Sequence, residues 1–180
     1  TFTSDIARAE KICDCIVERG IKIRWELRTG IRIDRVNERL LGKMKAAGCE
    51  FLAYGIESID DDILRAVKKG ITFSQIRAVV SMTEKVGIPF SGFFIIGLPG
   101  DTFDKFQKLL AFAQSHSFAE VRFYNLEPYP FTEVYAWVRD NGTLFQPPEV
   151  YLNESSRLQS DPLFETPQFT RPERQKAYNL

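Results

Sequence analysis

The amino-acid sequence predicts an α/β fold in which about four parallel strands alternate with helices. Predicted strands lie near residues 21–28, 49–57, 88–97 and 120–127, and a helical segment follows each of them. Such strict βα alternation favours parallel strands joined by right-handed crossovers. The third strand segment is apolar at nearly every position, which is typical of a strand buried on both faces of a parallel sheet.

The turn after this third strand is a candidate ligand site. The apolar run stops at Gly97 and passes through Leu98-Pro99-Gly100 to Asp101 and Thr102. Ligands of parallel sheets bind beyond the carboxyl ends of the strands. Gly97 would let a ligand approach the backbone, and a helix opening at Asp101 or Thr102 would point N–H groups at it. The alternative interpretation is a tight βα turn without a ligand.

The first part of the chain carries signals for two helices and two strands. A helix is predicted from Thr3 to Gly20, because its apolar residues recur at helical spacing. Residues 21–27 then alternate between apolar and charged, as in a half-buried strand. A second helix is predicted to start at Asp34 and to stop at Gly48, just before the second strand.

Later helices are marked by their caps. Three acids, Asp60 to Asp62, crowd a predicted helix N-terminus, where the helix dipole favours negative charge. Thr72 and Gln75 form a capping-box pattern that opens a further helix, closed by Gly87. After the fourth strand, Thr132 is predicted to cap a short helix.

The chain changes character after Gly142. Five of the nine prolines fall in the last 34 residues, among Ser, Gln, Asn and Asp. We therefore expect residues 1–142 to form the folded body, and residues 143–180 to form an irregular tail that packs on it. One short helix is expected from Thr170 onward. Because a closed barrel needs eight βα units and this chain supplies four, we expect a piece of a longer protein.

Composition argues against several functional classes. Lys+Arg and Asp+Glu both total 24, so the chain has no charge excess for nucleic acid or an anionic membrane. No apolar segment approaches the length of a membrane-spanning helix, and we expect a cytoplasmic protein. Cys13, Cys15, Cys49 and the single His116 do not have the spacing of a metal site, so no metal ligands are predicted.

Four stretches, taken in order, resemble the radical S-adenosylmethionine (SAM) superfamily. They are Trp25–Asp34, Met44–Cys49, Tyr54–Ser58 and Phe93–Thr102, and residues 64–70 and 128–132 add support. The branch that they resemble often carries an N-terminal cobalamin-binding domain. The resemblance covers roughly residues 1–142. It implies a partial (β/α)6 TIM-like barrel fragment, with these strands as its third to sixth.

The resemblance also implies cofactors. In the family a [4Fe–4S] cluster sits on a Cys-x-x-x-Cys-x-x-Cys loop after the first strand, beside SAM. This chain has no such loop, and its three cysteines cannot replace it at their spacings. We therefore expect the cluster ligands, and any cobalamin domain, upstream of Thr1. We expect no iron–sulfur centre in this chain alone.

Two strand ends carry the polar cofactor contacts that the resemblance implies. Glu57 and Ser58 match the residues that bind the ribose hydroxyls or nearby polar groups of SAM, and a carboxylate suits a vicinal diol. Alternatively, Glu57 contacts its neighbouring helix N-terminus. Arg32 matches an arginine that reaches the cofactor carboxylate or the substrate, or else it pairs with Asp34 or Glu57.

The later strands carry the remaining implied contacts. The segment from Phe93 to Gly97 matches one that packs against adenine through backbone and apolar contacts. Asp101 replaces the usual Glu, and Phe131 replaces a Gly of the family pattern, which changes the expectation for the loop around Tyr129. The cofactor-binding residues proposed from these later strands are Phe93, Ile95, Gly97, Leu98 and Tyr129; no catalytic residue is assigned.

Two functional interpretations follow from the sequence. In the first, the chain is a fragment of an enzyme that cleaves SAM to a 5′-deoxyadenosyl radical acting on a small-molecule substrate. In the second, it is a non-catalytic half-barrel used for binding or assembly. We also expect an exposed edge at Ile21–Leu27, where Ile21, Ile23 and Trp25 share a face, and exposure of Tyr54, Phe93 and Ile95. Such an edge favours a homodimer of the isolated chain.

Overall fold

The computed structural model of the protein describes residues 2–153 and 161–180. Its strands are β1 (Trp25–Arg32), β2 (Cys49–Glu57), β3 (Phe90–Ile96), β4 (Glu120–Asn125), β5 (Thr143–Leu144) and β6 (Phe164–Glu165). Its α-helices are α1 (Ile6–Glu18), α2 (Glu38–Ala46), α3 (Asp61–Ala66), α4 (Phe73–Val86), α5 (Phe103–Gln114), α6 (Glu133–Asn141), α7 (Pro148–Tyr151) and α8 (Arg171–Tyr178). Short 3₁₀ helices lie at Phe2–Ser4 and Ile33–Arg35.

The strands β1 to β4 form one parallel sheet in their order along the chain. Strands β1 and β2 pair in parallel from Trp25 opposite Cys49 to Arg32 opposite Gly55, with irregular register on both sides of Leu27. Strands β5 and β6 form a separate antiparallel pair. The predicted α/β fold with four parallel strands is confirmed.

The first strand begins later than the sequence predicted. The backbone N–H of Trp25 donates to the Gly48 carbonyl oxygen at 3.0 Å, and pairing starts there. Ile21 and Ile23 lie before the strand and are exposed, whereas Trp25 is half-buried and donates from Nε1 to the Ala47 carbonyl. The expected apolar face of three residues is therefore wrong, because pairing with β2 places only Trp25 against the body.

The second helix also begins later than predicted. Asn37 caps it, accepting from the Leu40 N–H at 2.8 Å, and α2 runs from Glu38. Asp34 lies in the preceding 3₁₀ turn, where its carboxylate binds Arg32 instead of a helix N-terminus. Asn37 thus takes the capping role that the sequence predicted for Asp34.

Several other caps are confirmed. The capping box of Thr72 and Gln75 opens α4, and Gly87 ends it in the left-handed conformation. The side chain of Thr132 accepts from the Tyr135 N–H at the start of α6. A second capping box, in which Thr170 faces Glu173, opens the helix expected near the C-terminus.

The chain divides into two compact units, each with its own core. The first comprises Thr1–Glu57, Ile71–Phe93 and Ala113–Arg122. Its core includes Tyr54, which is fully buried and whose hydroxyl lies 2.9 Å from Thr83 Oγ1. The expected exposure of Tyr54 is therefore wrong, because its side chain points into this core.

The second unit comprises Ser58–Gly70, Phe94–Phe112 and Phe123–Leu180. Its apolar cluster is built from Ile63, Leu98, Leu126, Val138, Tyr151, Leu163 and Phe164. Within the described ranges, no helix has both the length and the apolar character needed to cross a membrane.

Candidate functional site

Glu57, at the end of β2, has an unusual backbone conformation. Its φ is 70°, in the left-handed region that disfavours residues with a side chain. Such a residue costs on the order of 1–3 kcal/mol, and these outliers concentrate at ligand sites. The side chain is half-buried. This strain marks Glu57 as a functional candidate independently of any motif.

The Phe93 ring lies close to Gly30 of β1. A Cβ atom placed on Gly30 would lie 3.4 Å from the ring and 3.8 Å from the backbone nitrogen of Gly55. A side chain at Gly30 would therefore compete with the ring for space. The guanidinium of Arg122 lies 5.8 Å from the ring centroid on another side. The ring is half-buried and well positioned, which suits a contact surface for a planar base.

Arg32 is held by an ion pair on its own segment. Its Nε and Nη2 donate to the two carboxylate oxygens of Asp34, each at 2.9 Å. This pairing lowers the pKa of Asp34 and raises that of Arg32. Of the alternatives raised by the sequence, the structure shows the pairing with Asp34.

Ser58 takes part in a turn. Its side chain is 6% exposed, and its Oγ accepts from the Asp60 N–H at 3.1 Å. Asp60 in turn caps α3, accepting from the N–H groups of Asp62 and Ile63. Ser58 therefore orders the entry to this helix, and its hydroxyl proton remains a donor for other groups.

The Gly97 turn is closed by the protein's own side chains. The Gly97 N–H donates to Asp101 Oδ2 at 2.8 Å, and a Cβ atom on Gly97 would lie 2.2 Å from Arg174 Nη2. The side-chain face of Gly97 is thus occupied by Arg174, and the role of Gly97 as a cofactor contact stays a prediction for the other face of its peptide. Leu98 is 5% exposed in the apolar core, and Ile95 packs against the same core, so neither side chain is fully exposed.

Tyr129 lies on an exposed loop after β4. Its hydroxyl donates to Glu127 Oε2 at 2.9 Å, and that hydrogen bond raises the pKa of Tyr129. Phe131, two residues later, has φ 67° and a wholly exposed ring. The loop therefore takes a left-handed turn at Phe131 although a residue with a side chain stands there.

Sequence reasoning missed Arg174 and underrated Asp101. Arg174 is fully buried on α8, and Asp101 is 9% exposed. Buried arginines are rare, and the highly polar sequence of α8 gives no sign that this one points inward. The only available signal is the spacing of Arg174 and Ala177, which form one buried stripe of the helix.

The described residues do not fit a [4Fe–4S] cluster. No group of three or more His, Cys, Asp or Glu side chains in the described ranges is arranged to hold a metal ion. Cys13 and Cys49 are buried, and burial raises the pKa of both, that of Cys49 to about 12, which disfavours the thiolate that iron requires. Cys15 is exposed.

The family model of the radical SAM superfamily matches residues 3–113. An uncharacterized methyltransferase of Pyrococcus horikoshii is 31% identical over 170 residues, covering 94% of this chain and 36% of the relative. Bacteriochlorophyllide d C-8(2)-methyltransferase of Chlorobaculum tepidum is 30% identical over 104 residues, covering 57% of this chain and 23% of that relative.

The fold has a solved counterpart. The radical SAM methyltransferase TsrM from Kitasatospora setae, with cobalamin and a [4Fe–4S] cluster bound, superposes with a TM-score of 0.68 at 20% identity. The match covers 81% of this chain and 32% of that one. This likeness supports the partial TIM-like barrel, and the chain spans about a third of the length of such relatives. On the family match across residues 3–113, the chain belongs to the radical SAM superfamily.

Proposed function

We propose that this chain supplies SAM-contacting strands to the barrel of a radical SAM methyltransferase. Sequence similarity to the uncharacterized methyltransferase of Pyrococcus horikoshii, over 94% of this chain, supports the proposal. The proposal places the ligands of the [4Fe–4S] cluster outside this chain. It includes a small-molecule substrate and cobalamin, which is bound in the similar TsrM structure.

Within that function, this chain's residues bind and orient the adenosyl group. The Glu57 carboxylate accepts from the two ribose hydroxyls, and the Phe93 ring contacts the adenine. The strained backbone of Glu57 supports this role, because strain is retained where the side chain has to point at a ligand. Bound SAM with the reduced cluster would supply the radical chemistry, while the protein positions it and excludes water.

The test measures binding of adenosyl ligands to this chain under anaerobic conditions. Calorimetry would use SAM, 5′-deoxyadenosine and 2′,5′-dideoxyadenosine. We expect the wild-type chain to bind the first two, and to bind the dideoxy compound about tenfold more weakly, because one hydrogen bond to a carboxylate is lost. Glu57→Gln should weaken 5′-deoxyadenosine binding and reduce this discrimination.

The matched control is Glu50→Gln on the same strand. Glu50 pairs with Arg24 and is partly exposed, so its loss should leave the affinity unchanged. No binding of SAM or 5′-deoxyadenosine to the wild-type chain would contradict the proposal and favour the assembly-module interpretation. If wild type and Glu57→Gln discriminate equally between 5′-deoxyadenosine and 2′,5′-dideoxyadenosine, Glu57 does not bind the ribose hydroxyls.

A further inference from the structure

The peptide group between Ile96 and Gly97, at the end of β3, is held from both sides. Its carbonyl oxygen accepts from Arg174 Nη2 at 3.1 Å and from the Leu126 N–H at 2.9 Å. Its N–H donates to Asp101 Oδ2 at 2.8 Å. One peptide plane is thus fixed by a guanidinium on one edge and a carboxylate on the other.

Both charged groups that hold this peptide, Arg174 and Asp101, are buried. Arg174 is fully buried, donates from Nη1 to the Phe164 carbonyl and lies 4.2 Å from the Phe164 ring centroid. Its Nε has no hydrogen-bond partner among the described residues. Asp101 is 9% exposed, and its Oδ1 accepts from the Thr102 N–H at 2.9 Å.

A purely structural role does not require these charges. Taking a charged group out of water carries a desolvation penalty that offsets the attraction to its partners, so packing alone is served as well by an apolar residue of similar volume. Here the guanidinium reaches strand β3 from a helix 78 positions later in the chain. The Arg174 guanidinium donates to the backbone at the end of β3. This contact indicates that Arg174 fixes the orientation of the Ile96–Gly97 peptide.

We propose that Arg174 and Asp101 are positioning residues that hold the Ile96–Gly97 peptide in the orientation needed to receive the adenosyl group. This inference rests on the proposed function, in which residues 93–97 contact adenine. The C-terminal helix α8 then serves the cofactor site through Arg174 without touching the cofactor. Asp101 acts through the Gly97 N–H in the same way.

The burial of Asp101 makes this arrangement sensitive to pH. Arg174 on α8 and Lys105 on α5 face it, and Lys105 Nζ also lies 3.1 Å from the Gly100 carbonyl and 3.2 Å from Asp60 Oδ1. Burial is the dominant influence and raises the pKa of Asp101 to about 6. Below that pH the Gly97 N–H faces a neutral acid, so its bond weakens.

The test compares Arg174→Met, the double variant Arg174→Met/Asp101→Asn, and the control Arg171→Met. Arg171 lies on the same helix, is partly exposed and pairs with Asp161. The double variant removes both charges together, so no unpaired buried charge remains to unfold the protein. We expect it to remain folded, but to bind 5′-deoxyadenosine about tenfold more weakly than wild type. The control should bind like wild type.

A second readout does not need the ligand. Amide hydrogen exchange at Gly97 should accelerate about tenfold in the double variant and stay unchanged in Arg171→Met. Wild type should also lose 5′-deoxyadenosine affinity between about pH 7 and about pH 5, whereas Asp101→Asn should show a flatter profile. A wild-type chain that does not bind the nucleoside would contradict the proposed function, and the exchange data would then decide whether the peptide is held.

The positioning role fails under two results. In the first, the double variant is folded and binds 5′-deoxyadenosine as tightly as wild type. In the second, Gly97 exchanges at the same rate in wild type and in the double variant. In either case Arg174 would serve only the packing of the C-terminal segment, and the proposed function would be untouched.

Discussion

Replacing Phe131 by Gly should stabilise the chain. The residue has φ 67°, and its side chain is wholly exposed, so the ring contributes no burial to offset the strained backbone. A residue with a side chain in the left-handed region costs about 1–2 kcal/mol, and the greater freedom of an unfolded Gly returns about 0.5–1 kcal/mol of that. The net gain expected is therefore about 0.5–1 kcal/mol. For a chain of 180 residues this corresponds to an increase of a few degrees in Tm.

The assay is urea unfolding of wild type, Phe131→Gly and Phe131→Ala. The alanine variant removes the ring but keeps a Cβ atom, so the difference between the two variants is the relief of backbone strain less the unfolded-state entropy of Gly. We expect Phe131→Ala to match wild type and Phe131→Gly to have the higher midpoint at an unchanged slope. A glycine variant no more stable than the alanine variant would refute the reasoning.

Three further predictions concern ionisation, thiols and association. The pKa of Asp101 is about 6 in the folded chain and near 3.8 in the unfolded chain. The protonated Asp101 side chain therefore contributes its full stability below about pH 3.8, and this contribution is lost as the pH rises to about 6. Urea unfolding should show that the free energy of unfolding of wild type falls by up to about 3 kcal/mol over this range relative to Asp101→Asn. Ellman's reagent should titrate Cys15 rapidly in the folded chain and reach Cys13 and Cys49 only in denaturant; rapid reaction of all three would contradict their burial. Light scattering should detect self-association of the isolated chain that Ile23→Lys weakens, because Ile23 is exposed beside β1; a monomer unaffected by the variant would exclude this edge.

Local rules predicted the parts of the fold that depend on neighbouring residues. The capping box at Thr72 formed as expected because both of its partners lie within one helical turn. The start of β1 was misplaced because residues 21–24 alternate like a strand, yet only pairing with β2 decides where a strand begins. Asp34 was misread because Asn37, three residues later, caps the helix, while the Asp34 carboxylate accepts from Arg32.

The sequence predicted where the candidate site residues lie along the strands, but it did not predict their backbone conformation. The motif ending in Glu57 placed a carboxylate at a strand end, but nothing in its sequence announced a left-handed backbone. Gly97 was correctly read as a tight turn, while the reason for the missing side chain, contact with Arg174, comes from a helix far along the chain. Long-range contacts of this kind leave no local pattern.

Left-handed residues stand at the exits of three successive strands. Glu57 ends β2 with φ 70°, Gly97 follows β3 with φ 87°, and Phe131 lies after β4 with φ 67°. Glycine adopts this conformation without strain, as Gly97 does after β3. The turn itself therefore does not require Glu after β2 or Phe after β4. In parallel sheets these exits are where ligands bind. Two strained residues, Glu57 and Phe131, thus lie after strand ends, whereas the unstrained Gly97 turn is held by Asp101 and Arg174.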